Sequence, residues 1–293
     1  MDNEPAVGIL GATSLVGECL LPLLTRESWR VLAYSRQSGN HLSPHVEWRQ
    51  LDSAIHQTIP GQKTRIKFWI CAAPIWVLPD YFELMSAHKV ERVVAISSTS
   101  LLGKSESKAP AEQAVVQCLI NGEAQLREWA GINGIAWRIL RPTMIYGRGR
   151  DKNITEIARL IRRFGFFPLI GTAGGLRQPV HAEDVAAVCI SALKSGKAAN
   201  RVYNISGGEI LRYSEMVRRI FTAMHRQPRL IKIPLKLFSF ILICLHLLPR
   251  YRHWTLEMAE RMDRDLVFEH SDAGHDLGFS PRPFQLTQED MAQ

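Results

Sequence analysis

The sequence has few cysteines, and none of them lies in a metal-binding pattern. The five cysteines are scattered along 293 residues, their number is odd, and no C-x-x-C pair occurs. This arrangement argues against a disulfide framework and against a zinc site. We therefore expect no bound metal and a reducing, cytoplasmic environment. The N-terminal segment MDNEPAVGIL carries acids rather than a basic region, so we expect no signal peptide.

A long hydrophobic run is also lacking. The most apolar stretch runs from Leu237 to Leu248 (LFSFILICLHLL), and a membrane-spanning helix needs about 20 such residues. Basic residues flank the stretch, as is typical of helices that lie in a membrane interface; they are Lys232, Lys236, Arg250 and Arg252. We expect a helix that is either buried or in contact with a membrane surface or a protein. The chain would then be cytoplasmic, or peripheral to the inner face of a membrane.

Acidic residues are outnumbered by basic ones, and the formal net charge is +8. The basic residues form no compact block of the kind that binds nucleic acid, so we expect no nucleic-acid partner. A positive balance suits small anionic ligands instead, such as dinucleotides and sugar nucleotides. Hydrophobic residues make up 46% and charged residues 22% of the chain, which is the composition of an ordinary globular protein.

Strands and helices alternate through the first half of the chain. Short apolar runs predict buried strands at 6–10, 30–34, 46–51, 68–72, 93–96 and 135–140, with helices at 15–24 and 111–129. This alternation predicts an α/β fold, a Rossmann-type doubly wound parallel sheet with ligands at the carboxyl ends of its strands. After Pro142 the pattern loosens, and we expect a helix at 151–166, a strand at 177–180 and helical structure over 235–262.

A glycine-rich turn joins the first strand to the first helix. Gly11 suits a tight turn, and Gly17 suits close packing of the helix on the strand. Backbone N–H groups and the helix N-terminus can hold a pyrophosphate there. Ser14 stands where a glycine is expected; its hydroxyl can donate to a phosphate, but its Cβ narrows the approach. We predict a dinucleotide site that includes Gly11, Thr13, Ser14, Leu15, Val16 and Gly17.

The second strand ends without the carboxylate that commonly binds the ribose 2′-OH of NAD. The segment here is Tyr34-Ser35-Arg36. Arg36 can pair with a 2′-phosphate and Ser35 can hydrogen-bond to it, whereas a carboxylate would repel it. NADP is therefore favoured over NAD. We expect residues 1–147 to form the NAD(P)-binding Rossmann domain. Residues 148–293 would form a smaller, interleaved C-terminal substrate-binding region, of which 177–195 returns to the main domain.

Eight features follow one another along the chain: GATSLVG (11–17), Asp52, CAAP (71–74), ISSTSLLG (96–103), RPTMIYG (141–147), RQPVHAEDVA (177–186), VYNISGG (202–208) and LGFSP (277–281). In this order they resemble the extended short-chain dehydrogenase/reductase superfamily, and within it the NAD-dependent epimerases and dehydratases of nucleoside-diphosphate sugars. The resemblance implies further cofactor contacts at Asp52, Ala72, Ala73, Pro74, Ser97, Ser98 and Pro142. It also implies substrate contacts at Tyr146, Arg177 and His181, with Arg177 pairing with a diphosphate.

The proton-transfer pair of this family, a Tyr and a Lys four residues later, is absent from its usual place. Aligning Gly122-Glu123 with the family's A-G-E puts Val115 at the Tyr position and Leu119 at the Lys position. The chain has no Tyr between Tyr81 and Tyr146, and no Lys between Lys108 and Lys152. Val and Leu cannot transfer a proton, so an effect worth about 10²–10⁴ in rate is lacking there. Only Thr99 matches the usual catalytic trio.

Other groups are candidates for the missing acid and base, and each also has a structural interpretation. Lys104 and Lys108 fit a solvated loop, Glu112 opens a helix, Tyr146 fits a residue packed beneath the cleft, and His181 fits a structural hydrogen-bonding residue. Three functions stay open. The first is an atypical oxidoreductase or epimerase acting on an anionic or sugar-nucleotide-like substrate. The second is a non-catalytic dinucleotide-binding sensor or assembly subunit. The third is a reductase of a membrane-associated, lipid-like substrate. A homodimer is compatible with each.

Overall fold

A computed structural model describes residues 5–36, 43–51, 65–104, 107, 109–196, 199–245 and 261–291. Its central feature is a seven-stranded sheet in which every neighbouring pair is parallel. The strands are β1 (Ala6–Leu10), β2 (Arg30–Ser35), β3 (Val46–Gln50), β4 (Phe68–Cys71), β5 (Arg92–Ile96), β6 (Ala136–Pro142) and β11 (Arg201–Ile205). Their order is β11-β6-β5-β4-β1-β2-β3. The predicted Rossmann-type α/β class is confirmed.

Helices cover both faces of this sheet. One face packs against α1 (Leu15–Arg26) and α6 (Ala182–Lys194), and the other against a 3-10 helix (Ile75–Tyr81), α2 (Phe82–Ala87) and α4 (Pro110–Ile132). Each large aliphatic side chain buried in these layers contributes about 1.5–3 kcal/mol. α4 lies close to the 3-10 helix at Gly122, where a Cβ would come 3.0 Å from the Ile75 carbonyl carbon and oxygen. Two apolar cores therefore hold the strand ends in fixed positions.

Three two-stranded sheets and four helices form most of the remaining structure. The strand pairs are β7 (Ile145–Tyr146) with β10 (Val180–His181), β8 (Phe167–Ile170) with β13 (Leu230–Ile233), and β9 (Leu176–Arg177) with β12 (Leu211–Arg212). The helices are α5 (Ile154–Phe164), α7 (Tyr213–Ala223), α8 (Leu235–Leu245) and α9 (Ser271–Leu277), while the short α3 (Ser100–Gly103) follows β5. Because α6 and β11 come after β7, α5, β8, β9 and β10 in sequence yet join the central sheet and its core, the two halves interleave. The boundary at residue 147 stays a prediction.

The C-terminal half differs in detail from the sequence-based expectation. The expected strand over 177–180 is two separate strands, β9 and β10, which pair with different partners. The expected helix over 235–262 is described only as α8, which ends at Leu245, and residues 261–264 form a turn. Part of the apolar stretch, residues 246–248, lies outside the described residues. Within the described ranges, no helix is long and apolar enough to cross a membrane.

Candidate functional site

The turn between β1 and α1 has two positions that exclude any side chain. Gly11 has φ of +78°, and a Cβ there would lie 2.6 Å from the backbone nitrogen of Ala73. A Cβ on Gly17 would lie 2.2 Å from the carbonyl oxygen of Gly11. Gly17 is therefore required by the turn itself, which is a more local reason than the helix–strand packing that we expected. The turn lies where the strand order reverses between β1 and β4, the usual ligand position in doubly wound sheets.

The hydroxyl of Ser14 caps the first helix. Ser14 is the N-cap of α1, and its Oγ accepts a hydrogen bond from the backbone N–H of Gly17 at 3.0 Å. This bond satisfies one of the helix's unpaired donors and fixes the direction of the N-terminus. The hydroxyl hydrogen is still able to donate, as expected for a phosphate contact. Val16 is buried beneath the turn, and Leu15 lines the adjacent cavity.

The end of β2 is tied to the same turn. The carbonyl oxygen of Tyr34 accepts hydrogen bonds from the N–H groups of Gly11 and Ala12 at 3.0 and 3.2 Å. The hydroxyl of Ser35 lies 2.8 Å from that of Thr13, and Ser35 is only 4% exposed. Arg36, in contrast, is exposed. The structure therefore presents Arg36 to solvent at the predicted 2′-phosphate position, whereas Ser35 turns towards the glycine-rich loop.

The end of β4 completes this side of the site. The N–H groups of Ala72 and Ala73 both donate to the carbonyl oxygen of Leu10, at 2.8 and 3.2 Å, and Pro74 begins the 3-10 helix. These residues bring β4 directly against the glycine-rich turn, and their contact with a cofactor stays a prediction. Asp52, the predicted adenine contact, lies outside the described residues.

The ends of β5 and β6 carry a buried polar cluster that the sequence analysis did not foresee. Glu123 on α4 is 2% exposed and accepts a hydrogen bond from the Ser97 hydroxyl at 2.7 Å. It also accepts bonds from Arg141 at 2.8 and 2.6 Å, and from Arg127 at 2.8 Å. Ser97, predicted as a cofactor contact, thus holds the end of β5 to α4. Two of the three donor residues, Ser97 and Arg141, lie far from Glu123 along the chain, so the local sequence around Glu123 does not reveal the cluster.

Ser98 and Thr99 follow this cluster and reach the cavity wall. The Oγ of Ser98 accepts a hydrogen bond from the N–H of Ser100 at 3.1 Å. The N–H and hydroxyl of Thr99 both donate to the carbonyl oxygen of Pro142, at 3.0 and 3.1 Å. Thr99 therefore lies in the cavity wall at the end of β6, while Pro142 contributes its carbonyl group to the junction of β5 and β6. A catalytic role of Thr99 stays a prediction.

The two positions of the missing acid–base pair differ in their surroundings. Val115 is 40% exposed on the surface of α4. Leu119, one helical turn later, is 3% exposed and packs in the same apolar core as Ile75 and Leu126. A side chain at 115 can thus reach solvent, whereas a charged group at 119 would be placed in hydrocarbon.

A cavity of about 820 Å³ opens at the carboxyl ends of the strands and reaches into the C-terminal region. Basic residues outnumber acidic ones in its wall; the charged residues are Lys104, Arg150, Lys152, Arg177 and Arg261, with Asp151 and Glu156. Asp151 is occupied in capping α5, where it accepts bonds from the N–H of Asn153 and the hydroxyl of Thr155, both at 2.8 Å. The cavity wall therefore favours an anionic ligand.

Lys104 and Arg261, which line the same cavity as Thr99, share one carboxylate. The Nζ of Lys104 lies 3.4 Å from Oε1 of Glu112, and the Arg261 guanidinium donates to the same oxygen. Burial raises the pKa of Glu112, but a hydrogen bond from Ser107 and the charges of Arg261 and Lys104 lower it overall. Glu112 is thus an ion-pairing carboxylate at neutral pH. Two cations against one anion leave this part of the wall positive. Lys108 lies outside the described residues.

The three predicted substrate contacts are held by the protein itself. Tyr146 is fully buried and donates to the carbonyl oxygen of Gln285 at 3.2 Å, and burial raises its pKa to about 12. His181 is also buried, with Nε2 3.2 Å from Asp290 Oδ1. Arg177 lies in the cavity wall, but its guanidinium donates to the backbone carbonyls of Leu176, Arg261 and Arg264. The structure places Tyr146 and His181 in the core rather than in the cavity wall, and it turns Arg177 away from a diphosphate.

The sheet order and the turn define a Rossmann-type α/β fold. The model of the NAD dependent epimerase/dehydratase family matches residues 80–206. A solved structure of UDP-glucuronic acid 4-epimerase from Bacillus cereus in complex with NAD superposes with a TM-score of 0.71. It covers 97% of this chain and 95% of that chain, at 14% identity. A structure of MoeE5 in complex with UDP-glucuronic acid and NAD superposes with a TM-score of 0.72 at 17% identity, and the match covers 97% of this chain and 95% of that chain. Such low identities show the fold alone.

Two relatives are similar at the level of sequence. The mitochondrial NADH dehydrogenase [ubiquinone] 1 alpha subcomplex subunit 9 of Arabidopsis thaliana is 30% identical over 129 residues, which is 44% of this chain and 28% of that protein. UDP-glucose 4-epimerase of Vibrio cholerae is 26% identical over 162 residues, 51% of this chain and 49% of the epimerase. The chain thus spans about half or less of these two proteins. Together with the fold, these matches confirm the resemblance to the extended short-chain dehydrogenase/reductases and nucleoside-diphosphate-sugar epimerases.

Proposed function

We propose that the chain binds NAD(P) at the turn from Gly11 to Gly17, with NADP preferred, and an anionic, sugar-nucleotide-like ligand in the adjoining cavity. The observation that carries this proposal is the position of the turn. The turn excludes side chains at Gly11 and Gly17, and it lies where the strand order reverses between β1 and β4. It also adjoins a cavity in whose wall basic residues outnumber acidic ones. In this proposal the protein is an atypical oxidoreductase or epimerase.

The chain offers a fitting set of groups for the dinucleotide. The pyrophosphate would lie against the backbone of the turn and the capped N-terminus of α1, where the helix dipole favours negative charge. Arg36, which is exposed at the end of β2, would pair with a 2′-phosphate. When bound, the nicotinamide supplies or accepts a hydride. Thr99 is the one member of the usual trio that the chain places at the cavity wall.

The anionic part of the ligand would bind to Lys104 and Arg261 rather than to Arg177. Lys104 and Arg261 line the cavity and share the carboxylate of Glu112. These two cations and one carboxylate together carry a net positive charge. Arg177 gives its donors to backbone carbonyls. Arg150 connects the cavity to the turn, because it pairs with Glu18 and donates to the carbonyl oxygen of Thr13 at 3.3 Å.

Titration with NADPH and NADH, followed by fluorescence, tests the cofactor assignment. A charge-assisted hydrogen bond to a buried or partly buried partner is worth about 1.5–3 kcal/mol. Arg36→Ala should therefore weaken NADPH binding by about tenfold or more and leave NADH binding nearly unchanged. Arg26→Ala, at the far end of α1, is the matched control and should change neither affinity. Equal weakening of both cofactors by Arg36→Ala would contradict the NADP preference.

A second candidate is a non-catalytic dinucleotide-binding subunit. Val115 and Leu119 favour it, because neither can transfer a proton and Leu119 is enclosed in the core. The similarity to a subunit of NADH dehydrogenase adds support. Purified protein with bound NADP or NAD should be assayed against a panel of sugar nucleotides. Turnover that Lys104→Gln diminishes supports the enzyme. Tight cofactor binding with no turnover on any member of the panel supports the subunit.

A further inference from the structure

Exposed large hydrophobic side chains are spread over the described residues, but one group of them is dense along the chain. Four of them lie within ten residues, on β13 and the first turns of α8: Ile231, Leu235, Leu237 and Phe240. Leu237 is 51% exposed and Phe240 is 66% exposed. Lys232 and Lys236 alternate with them and are exposed as well. We call these six residues the α8 face. A cluster of this kind marks a contact surface, whereas single exposed apolar residues do not.

The α8 face belongs to a folded, anchored element. Phe238, between the exposed residues, is only 4% exposed; it packs against Ile170 and lines the cavity. β13 is held to β8 by a parallel ladder in which Lys232 pairs with Leu169. One side of α8 therefore faces inward, and its apolar outward side chains are held in a fixed position.

The charge of this region is one-sided. Residues 216–256 contain eight Lys and Arg residues and no Asp or Glu, so this stretch carries as much formal charge as the whole chain, +8. Lys232, Lys236 and the neighbouring Arg229 are exposed on it. Arg218 and Arg219, at the start of the stretch, pair with Glu215 and Glu209, whereas the exposed Lys232 and Lys236 lie among the apolar residues of the α8 face. An apolar surface that carries such cations is complementary to a surface that is both apolar and anionic.

We propose that the α8 face binds peripherally to a lipid bilayer that carries anionic headgroups. Lys232 and Lys236 would lie at the headgroup phosphates, while Leu237 and Phe240 would enter the boundary with the acyl chains, as amphipathic interfacial helices do. A symmetric contact between two copies would bring these lysines against each other with no carboxylate in the stretch to pair with them. The charge pattern therefore selects an anionic lipid surface over a second copy. This inference does not depend on the proposed cofactor or ligand.

Vesicle sedimentation of the full chain tests this proposal. The probes are vesicles of phosphatidylcholine alone and vesicles that also contain phosphatidylglycerol. The protein should sediment with the anionic vesicles and stay in solution with the neutral ones. High salt should weaken the binding, because it screens the lysines. Each basic residue near an anionic surface contributes about fivefold in affinity, so Lys232→Glu with Lys236→Glu should reduce binding by more than about tenfold. Leu237→Ser with Phe240→Ser should reduce it by about tenfold or more through lost apolar contact.

Matched controls lie near the amino ends of strands β2, β5 and β6. Arg26→Glu with Lys89→Glu makes the same change in net charge, and Ile132→Ser removes a residue that is 78% exposed; these variants should bind as the wild type does. Circular dichroism and a melting curve of every variant verify that the fold is unaffected. The proposal is overturned if the wild type ignores anionic vesicles, or if the controls lose as much binding. It is also overturned if the α8-face variants split a dimer in analytical ultracentrifugation and leave vesicle binding unchanged.

Discussion

Replacing Glu123 by Gln should destabilise the protein strongly, although the side chain keeps its size. Glu123 is almost fully buried and accepts four hydrogen bonds, two of them from Arg141. The substitution leaves the Arg141 charge without its counter-ion in a site that is only 16% exposed. Removing one partner of a buried pair costs about 3–5 kcal/mol. Because Arg141 is partly solvated and Gln retains one acceptor oxygen, we expect a loss of about 3 kcal/mol in the free energy of unfolding.

Urea denaturation followed by circular dichroism measures this loss, and a melting curve should show Tm lowered by about 5–10 °C. Arg127→Gln is the matched control, since it removes only the partner that is 42% exposed. Exposed pairs of this kind contribute about 0.5 kcal/mol or less. If Glu123→Gln were as stable as Arg127→Gln, the cluster would not hold β5 and β6 to α4, and the reasoning would be wrong.

Three further predictions concern the glycine-rich turn, positions 115 and 119 of the missing acid–base pair, and stability in acid. Gly17→Ala should abolish NADPH binding in a fluorescence titration, because its Cβ would overlap the carbonyl of Gly11. Leu119→Lys should lower the free energy of unfolding in urea by several kcal/mol, since it buries an unpaired charge, while Val115→Tyr should change it by less than about 0.5 kcal/mol. Burial raises the pKa of Asp290, but hydrogen bonds from His181 and nearby N–H groups hold it below its ordinary value of 3.8. The stabilisation from Asp290 is therefore present above pH 3.8 and is lost as the pH falls further, so urea titrations should show the difference between wild type and Asp290→Asn shrinking in acid.

The central sheet could be predicted because its signals are local. Continuous apolar runs such as those of β1 and β5 fit a strand covered on both faces, and the glycines of the first turn follow directly from its backbone geometry. In contrast, β8 (FPLI) contains Pro168 and has no strand-like alternation. Its partner β13 lies about sixty residues away in the chain, so the pairing depends on a contact that no local pattern records.

The site was predictable in part for the same reason. The glycines at 11 and 17 carry their own geometric requirement, and Thr99 follows a recognisable strand end. The orientation of the Arg177 guanidinium depends on the backbone carbonyls of Arg261 and Arg264, which are remote in sequence. Lys104 and Arg261 likewise meet only because the chain returns across the cavity to Glu112. Charges and donors that are assembled from distant segments leave no local pattern.

The apolar surroundings of position 119 disfavour the lysine that proton transfer would need. They do not affect the dinucleotide turn from Gly11 to Gly17, which can be kept for another reason. A Lys there would place an unpaired ammonium in an apolar core, which depresses its pKa and costs several kcal/mol. Leu119 instead adds to that core, and a Tyr restored at 115 would still lack the cation that lowers its pKa. A bound dinucleotide, however, stabilises the fold without any chemistry. At a concentration one hundred times its Kd it contributes about 2.7 kcal/mol, which is similar to the contribution that we expect from the Glu123 cluster. A dinucleotide turn can therefore be retained for stability alone, so binding measurements without turnover assays would not distinguish the enzyme from the subunit.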